Sequence, residues 1–104
     1  MTDRAQRTDP WSFIRWAREQ AIECELTATQ AHVLIVLATY ANGAGECHPS
    51  RGTIAGRIRR GERSVGAAIM ELTRRGLIDR WQRGTGRTAV TRLDAPHLFE
   101  SAGE

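Results

Sequence analysis

The sequence predicts a mainly α-helical domain that ends in a small β-hairpin. Four segments carry apolar residues at helical spacing, and each follows residues that favour the start of a helix. After Gly76 the apolar period changes from about 3.6 residues to about two, as expected of strands. The chain has 104 residues, which is the size of one domain.

Two helices are predicted in the first half of the chain. Residues 1–9 show no periodicity and are predicted to be a flexible arm. The first helix covers about 10–23, with Pro10 at its first position. Thr27 and Gln30 form a capping-box signature before a second helix that ends near Ala41. Because this second helix is apolar nearly all round, we expect it at the centre of the core.

Two shorter helices joined by a tight turn follow. Ser50 is predicted to cap a helix over about 50–59, and Gly61 opens the turn to a helix over about 62–75. The apolar residues of the earlier helix are Ile54, Ala55 and Ile58. Those of the later helix are Val65, Ala68, Ile69 and Leu72. The spacing of this second set predicts a strongly amphipathic helix.

The rest of the chain predicts a hairpin and a tail. Strands are predicted at 77–82 and 88–93, around a glycine-rich turn at 83–87. A short extended piece is predicted at Cys47-His48-Pro49. Residues 94–104 carry only acidic charges and are predicted to be a weakly ordered tail.

The charges are distributed unevenly along the chain. All 15 basic residues are arginine. Residues 51–92 hold eleven arginines and three acids, a net charge of +8, between segments of −2 and −3. A nucleic acid is the simplest partner for such a segment, and a solvated arginine-rich surface is the alternative. The first explanation requires these arginines to converge on one surface.

Several classes of function lack support in the sequence. There is no apolar run of about eighteen residues and no signal region, so we expect a cytoplasmic protein that does not contact membranes. Without lysine there is no phosphate-binding loop, and no nucleophile motif or carboxylate pair indicates an enzyme. The two cysteines and three histidines lack the spacing of a zinc site. We therefore expect no metal, no cofactor and no small-molecule ligand.

The two short helices and the hairpin resemble a known family. The resemblance is carried by Pro49-Ser50, Ile54-Ala55, Val65, and the ending from Leu72 to Gly76-Leu77-Ile78. Residues 26–93 resemble the bacterial winged helix-turn-helix DNA-binding domains of plasmid and phage replication initiators and transcriptional regulators. The resemblance implies a domain over 10–93 with an extra N-terminal helix, a reading helix over 62–75 and a wing over 77–93.

The resemblance also implies which residues contact DNA. Gly66, Ala67 and Met70 stand where many relatives carry long polar donors, so phosphate contacts and DNA shape should contribute more than base readout. Gly66 leaves room for a close approach of DNA or, alternatively, for packing against another helix. The predicted DNA-binding residues are Ser50, Arg51, Arg57, Arg59, Arg60, Glu62, Arg63, Gly66, Ala67, Met70, Arg74, Arg83, Thr85 and Arg87.

The predicted function is binding of double-stranded DNA. Such a protein would regulate transcription or serve the replication, excision or maintenance of a mobile element, by occupancy alone. A protein-interaction module without DNA binding is the alternative, and RNA binding a third possibility. Trp11, Ile14 and Trp16 either extend the core or form a homodimer interface. A two-fold dimer would place its reading helices about 34 Å apart.

Overall fold

The computed structural model of the chain describes residues 10–82 and 89–95. The helices and strands of these residues are α1 (Pro10–Glu23), α2 (Ala28–Tyr40), β1 (Glu46–Cys47), α3 (Arg51–Ile58), α4 (Glu62–Arg74), β2 (Ile78–Gln82) and β3 (Ala89–Leu93). The bounds of α1, α3 and α4 lie within one residue of the predicted ones. The predicted arm and residues 96–104 of the predicted tail lie outside the described residues.

Side-chain caps fix the starts of α2 and α3. The hydroxyl of Thr27 accepts a hydrogen bond from the backbone N–H of Gln30 at 3.2 Å. The side-chain oxygen of Gln30 accepts one from the N–H of Thr27 at 3.1 Å, which completes the predicted capping box. Ser50 accepts from the N–H of Thr53 at 3.1 Å. Each cap stabilises its helix by about 1 kcal/mol, so local sequence sets both starts.

The second helix lies at the centre of the hydrophobic core, as predicted. Val33, Leu34 and Leu37 of α2 are fully buried. Helix α1 packs against them through Phe13, and α4 through Leu72, both also fully buried. Because α3 and the sheet contact α2 as well, this helix holds every other layer in place.

The sheet has three strands, not the predicted two. Its order is β1-β3-β2 and both pairings are antiparallel. The third strand begins the extended piece predicted at Cys47-His48-Pro49, and in it Cys47 pairs with Thr91. The side-chain oxygen of Asn42 explains this pairing: it accepts from the N–H groups of Ala44 at 2.8 Å and Glu46 at 3.0 Å. These two bonds turn the chain after α2 and direct β1 alongside β3.

A turn of three residues, Arg59–Gly61, joins α3 to α4. Arg59 ends α3 in the left-handed region, with φ 59° and ψ 47°. The N–H of Arg60 donates back to the carbonyl oxygen of Ala55 at 3.1 Å, which satisfies a carbonyl at the end of α3. The left-handed conformation costs a residue with a Cβ about 1–2 kcal/mol, so Arg59 occupies this position against its backbone preference.

Replacing Arg59 by glycine is expected to raise the free energy of unfolding by about 1 kcal/mol, because glycine takes left-handed backbone without that penalty. In a thermal melt this corresponds to an increase of about 4–8 °C in Tm. Gly76 provides the matched control: its φ is +79° and nothing lies within 4 Å of its Cβ position. Gly76→Ala should therefore lower the Tm, and melts in which both variants move in the same direction would contradict this account.

Candidate nucleic-acid interface

Helix α4 turns one face to the core and another to solvent. Its buried apolar residues are Val65, Ala68, Ile69 and Leu72. Apart from Gly66, the α4 residues among the predicted DNA contacts are exposed: Glu62, Arg63, Ala67, Met70 and Arg74. The largest apolar side chain of this face, Met70, is 73% exposed. The middle of the face therefore offers α4 side chains for contact but no strong hydrogen-bond donor.

Gly66, a predicted DNA contact, lies on the same side of α4 as Ala67 and Met70, but it is covered and not open to solvent. A Cβ built on Gly66 would lie 2.8 Å from Nη1 and 3.5 Å from Cδ of Arg51, the first residue of α3. A guanidinium group from the neighbouring helix therefore occupies the space of the missing side chain.

A groove of 760 Å³ separates α4 from the sheet. Ile69 and Met70 line it on the helix, and Arg80 and Trp81 line it on β2. A second, smaller groove follows the start of α4 and includes Arg63 and Ala67. Arg51, Gly66 and Met70 line both grooves. Arg51 thus lies at the centre of the surface that α4 and the sheet form together.

Arg80 is a residue of this surface that sequence reasoning missed. It is half-buried, and its Nη1 donates to the hydroxyl of Thr91 on β3 at 2.6 Å. Burial lowers the pKa of Arg80, and the nearby positive charge of Arg51 lowers it further. The sequence did contain a signal for this position of Arg80. Side chains alternate sides along a strand, so Arg80 must lie on the same side of β2 as Ile78, which is buried.

Arginines without a carboxylate partner gather around α4 and the turn before it. Arg59, Arg60 and Arg63 are exposed there. The hydroxyl of Ser50, another predicted contact, is already used as the cap of α3. Within residues 10–82 and 89–95, no carboxylate forms an ion pair with Arg51, Arg59, Arg60, Arg63 or Arg80. Five arginines thus lack a counter-charge in the described part of the chain: Arg51, Arg63 and Arg80 line the grooves beside α4, and Arg59 and Arg60 lie in the turn before it.

Other arginines of the basic segment are engaged elsewhere. Nε of Arg57 donates to the hydroxyl of Tyr40 on α2 at 3.0 Å, and its guanidinium carbon lies 5.7 Å from the centre of that ring. Arg75 donates to the carbonyl oxygen of Cys24 at 2.6 Å. Arg92 lies 5.7 Å from the ring centre of Trp81. Arg57 and Arg75 line neither groove, and Arg92 also lies 4.0 Å from a carboxylate oxygen of Asp79, so these three arginines each have a partner within the chain.

The charge of Arg74 is compensated within its own helix. Nε of Arg74 donates to one oxygen of Glu71 at 2.9 Å, and Nε of Arg75 donates to the other at 2.7 Å. These hydrogen bonds, that of Arg74 first, lower the pKa of Glu71 from 4.5 to about 2. Arg74, a predicted DNA contact, thus lines the groove, but its charge is already paired with that of Glu71.

The arrangement is a pair of helices joined by a short turn and followed by an antiparallel sheet. The sequence model of a family described as a helix-turn-helix domain matches residues 25–78, just over half of the chain. The chain belongs to this helix-turn-helix family. The match spans α2, α3, α4 and the turn between the last two.

Solved structures of MepR from Staphylococcus aureus resemble this helix-turn-helix chain. A mutant bound to an oligodeoxyribonucleotide is 21% identical, with a TM-score of 0.59, over 88% of this chain and 66% of that one. MepR, a transcription regulator of the multidrug efflux pump MepA, gives 22% identity and a TM-score of 0.55, over 88% and 66%. A MepR–DNA complex gives 18% and 0.54, over 88% and 63%. The likeness shows the winged helix-turn-helix fold that the sequence predicted.

The helix-turn-helix chain spans slightly less than two thirds of the length of these MepR chains. No curated protein sequence matches it significantly. The comparisons therefore establish its family and its fold.

The aromatic residues of α1 have separate roles in the helix-turn-helix domain. Trp16 is only 3% exposed and belongs to the core, which favours the core alternative for this residue over an interface. Ile14 is half-buried and packs against the same core. Trp11 is 65% exposed. Of the three predicted interface residues, Trp11 is thus the one that leaves a large apolar surface uncovered.

The predicted wing-tip contacts Arg83, Thr85 and Arg87 lie outside the described residues, so the structure does not test them.

In the described ranges, no cluster of three metal-ligating side chains occurs. No described helix is long and apolar enough to span a bilayer. Burial raises the pKa of the Cys47 thiol to about 11, so that thiol is protonated at neutral pH.

The low pKa of Glu71 predicts a dependence of stability on pH. Since the carboxyl is more acidic in the folded chain, it stabilises the fold above pH 4.5 and loses this effect as pH falls toward about 2. Chemical denaturation of Glu71→Gln should therefore show a deficit in unfolding free energy at pH 7 that shrinks below pH 4.5. A deficit of equal size at pH 7 and at pH 2.5 would show that Glu71 does not act through its charge.

Proposed function

We propose that this chain binds double-stranded DNA and regulates transcription, or the replication, excision or maintenance of a mobile element, by occupying its site. The surface formed by α4, the preceding turn and the sheet is the contact surface. The observation that carries this proposal is the group of five arginines without carboxylate partners at the helix-turn-helix.

The five arginines suit a polyanion. Arg59, Arg60 and Arg63 lie at the turn and the first residues of α4, while Arg51 and Arg80 lie at the groove beside it. The major groove of DNA is about as wide as one helix, and its phosphates flank a helix that enters it. We place α4 in that groove, where the arginines at its start and along its edge face phosphate oxygens.

Solved MepR chains lend this proposal support, since two of those compared contain DNA. The exposed face of α4 adds a qualification about mechanism. Its middle carries Ala67 and Met70, which contribute apolar contacts and no charged donors. Recognition by the α4 side chains themselves therefore depends mainly on phosphate geometry and on the shape of the groove.

We propose occupancy without a chemical step. Regulators of this fold act by binding, and the buried Cys47 thiol is protonated at neutral pH and so is a poor nucleophile. The site of action would be the cytoplasm, where bacterial DNA lies.

Titration of the chain with random-sequence duplex DNA at several salt concentrations tests the proposal. Four phosphate contacts, from Arg59, Arg60, Arg63 and Arg80, with or without a fifth from Arg51, predict a slope of about −3.5 to −4.5 for the logarithm of the binding constant against the logarithm of salt concentration. Arg60→Ala should weaken binding to all duplexes alike and reduce the steepness of this slope by about 1. Fluorescence anisotropy of a labelled duplex measures both quantities.

Arg57→Ala is the matched control, because it removes the same charge from an arginine held against Tyr40 on α2. Its affinity and salt slope should stay close to those of the unchanged chain. Absence of duplex binding at low salt would overturn the proposal and return the protein-interaction alternative to first place. Equal losses in both variants would instead indicate attraction by net charge without a defined contact surface.

We also propose that two copies of the chain associate through the exposed Trp11 of α1. A large, exposed aromatic ring is the type of residue that anchors interfaces. Sedimentation of the unchanged chain should then give the mass of a dimer, and Trp11→Ala should shift it toward the monomer and remove the dependence of the Tm on protein concentration. A monomer at micromolar concentration, both alone and on DNA, would contradict this prediction.

A further inference from the structure

The middle of the α4 face poses a specific problem for recognition. A helix that enters the major groove distinguishes bases chiefly through side chains that donate or accept hydrogen bonds. Here the three central positions are Gly66, Ala67 and Met70, which carry no such group. If α4 acted alone, the protein would have almost no means of reading sequence there.

The neighbouring helix supplies a donor at this point. Arg51 crosses from the start of α3, and its Nη1 lies 2.8 Å from where the Cβ of residue 66 would be. Its Cδ lies 3.5 Å from the same point, so the end of the side chain follows the surface of α4. The guanidinium thus takes the position that a long polar side chain of α4 would otherwise fill.

The donors of Arg51 are available to a ligand. Arg51 is exposed, and no described carboxylate forms an ion pair with it. A guanidinium carries five N–H donors in a planar fork, which matches the O6 and N7 acceptors of guanine. Arg80 lies behind it in the groove, hydrogen-bonded to Thr91, and adds a second positive charge close by.

From this geometry we infer that Arg51 is the base-reading residue of the interface, and that Gly66 is required because it gives the Arg51 guanidinium its place on α4. The base it reads is a guanine in the major groove. Arg51 therefore determines specificity although it belongs to α3. This inference rests on the proposed DNA binding, and it adds the residue and the base that set the preference.

The competing role for Arg51 is a phosphate contact, and the two roles predict different results. A base reader changes which sequences bind best. A phosphate contact changes the affinity for all sequences alike and alters the salt slope by about 1. Arg51→Ala separates them, because it removes both the charge and the donors, whereas a lysine could still reach the same guanine atoms.

The experiment has two steps. Bound fragments are first selected from random duplex DNA, and the selected duplex and a non-specific one are then titrated with the chain. The unchanged chain should select a sequence with a fixed guanine. Arg51→Ala should lose roughly 5- to 150-fold in preference for guanine at that position. A loss of the same size on the selected and the non-specific duplex, with the guanine kept, would show a phosphate contact instead.

Gly66→Ala tests the second half of the inference. The added methyl cannot coexist with Nη1 at 2.8 Å, so the flexible end of Arg51 must move. The variant should lose preference for the same guanine while its Tm rises, because alanine favours a helix more than glycine. Gly56→Ala in α3 is the matched control: nothing lies within 4 Å of its Cβ position. It should raise the Tm and leave the base preference intact.

The outcomes separate this inference from the proposed function. If the unchanged chain binds no duplex, both fail. If it binds duplexes without a base preference, or if Arg51→Ala keeps the selected guanine, DNA binding stands and Arg51 is not its reader. If Arg51→Ala loses the guanine while Gly66→Ala keeps it, the role assigned to Gly66 is wrong.

Discussion

Burial of the middle of α2 is the constraint on which the other elements depend. Val33, Leu34 and Leu37 are completely removed from solvent, and α1, α3, α4 and the sheet each cover a part of this helix. Core side chains pack at close to crystal density, so the angle at which each layer sits on α2 is fixed by shape. The core contacts that α4 and the sheet each make with α2 therefore determine where the exposed side of α4 lies relative to the sheet.

Charge pairing inside the domain divides its arginines into two groups. Glu71 holds Arg74 and Arg75, and Tyr40 holds Arg57, so these guanidinium groups stay with their own chain. The arginines at the α3–α4 turn and the groove have no such carboxylate among the described residues. A net charge counted over a segment cannot show this division, because it depends on which acid or hydroxyl lies within reach after folding.

Local signals explain why so much of the fold followed from the sequence. The Thr27–Gln30 box and the Ser50 cap act over three residues, and the apolar spacing of α4 predicts which side is buried. The surroundings of Gly66 and Arg80 could not be predicted from such local signals. Gly66 is covered by a side chain fifteen positions earlier in the chain, and Arg80 on β2 is close enough to Arg51 on α3 for the two positive charges to interact. Contacts of this kind are set by tertiary packing, which periodicity does not encode.

The short strand β1 has a mechanical consequence. It pairs with β3 and ends at Cys47, so only three residues separate the sheet from the first residue of α3. Short connections thus link the sheet to the helix pair at both ends of the α3–α4 unit, which limits how far either can move relative to the other. A duplex bound to this surface would then adapt to it in part by bending.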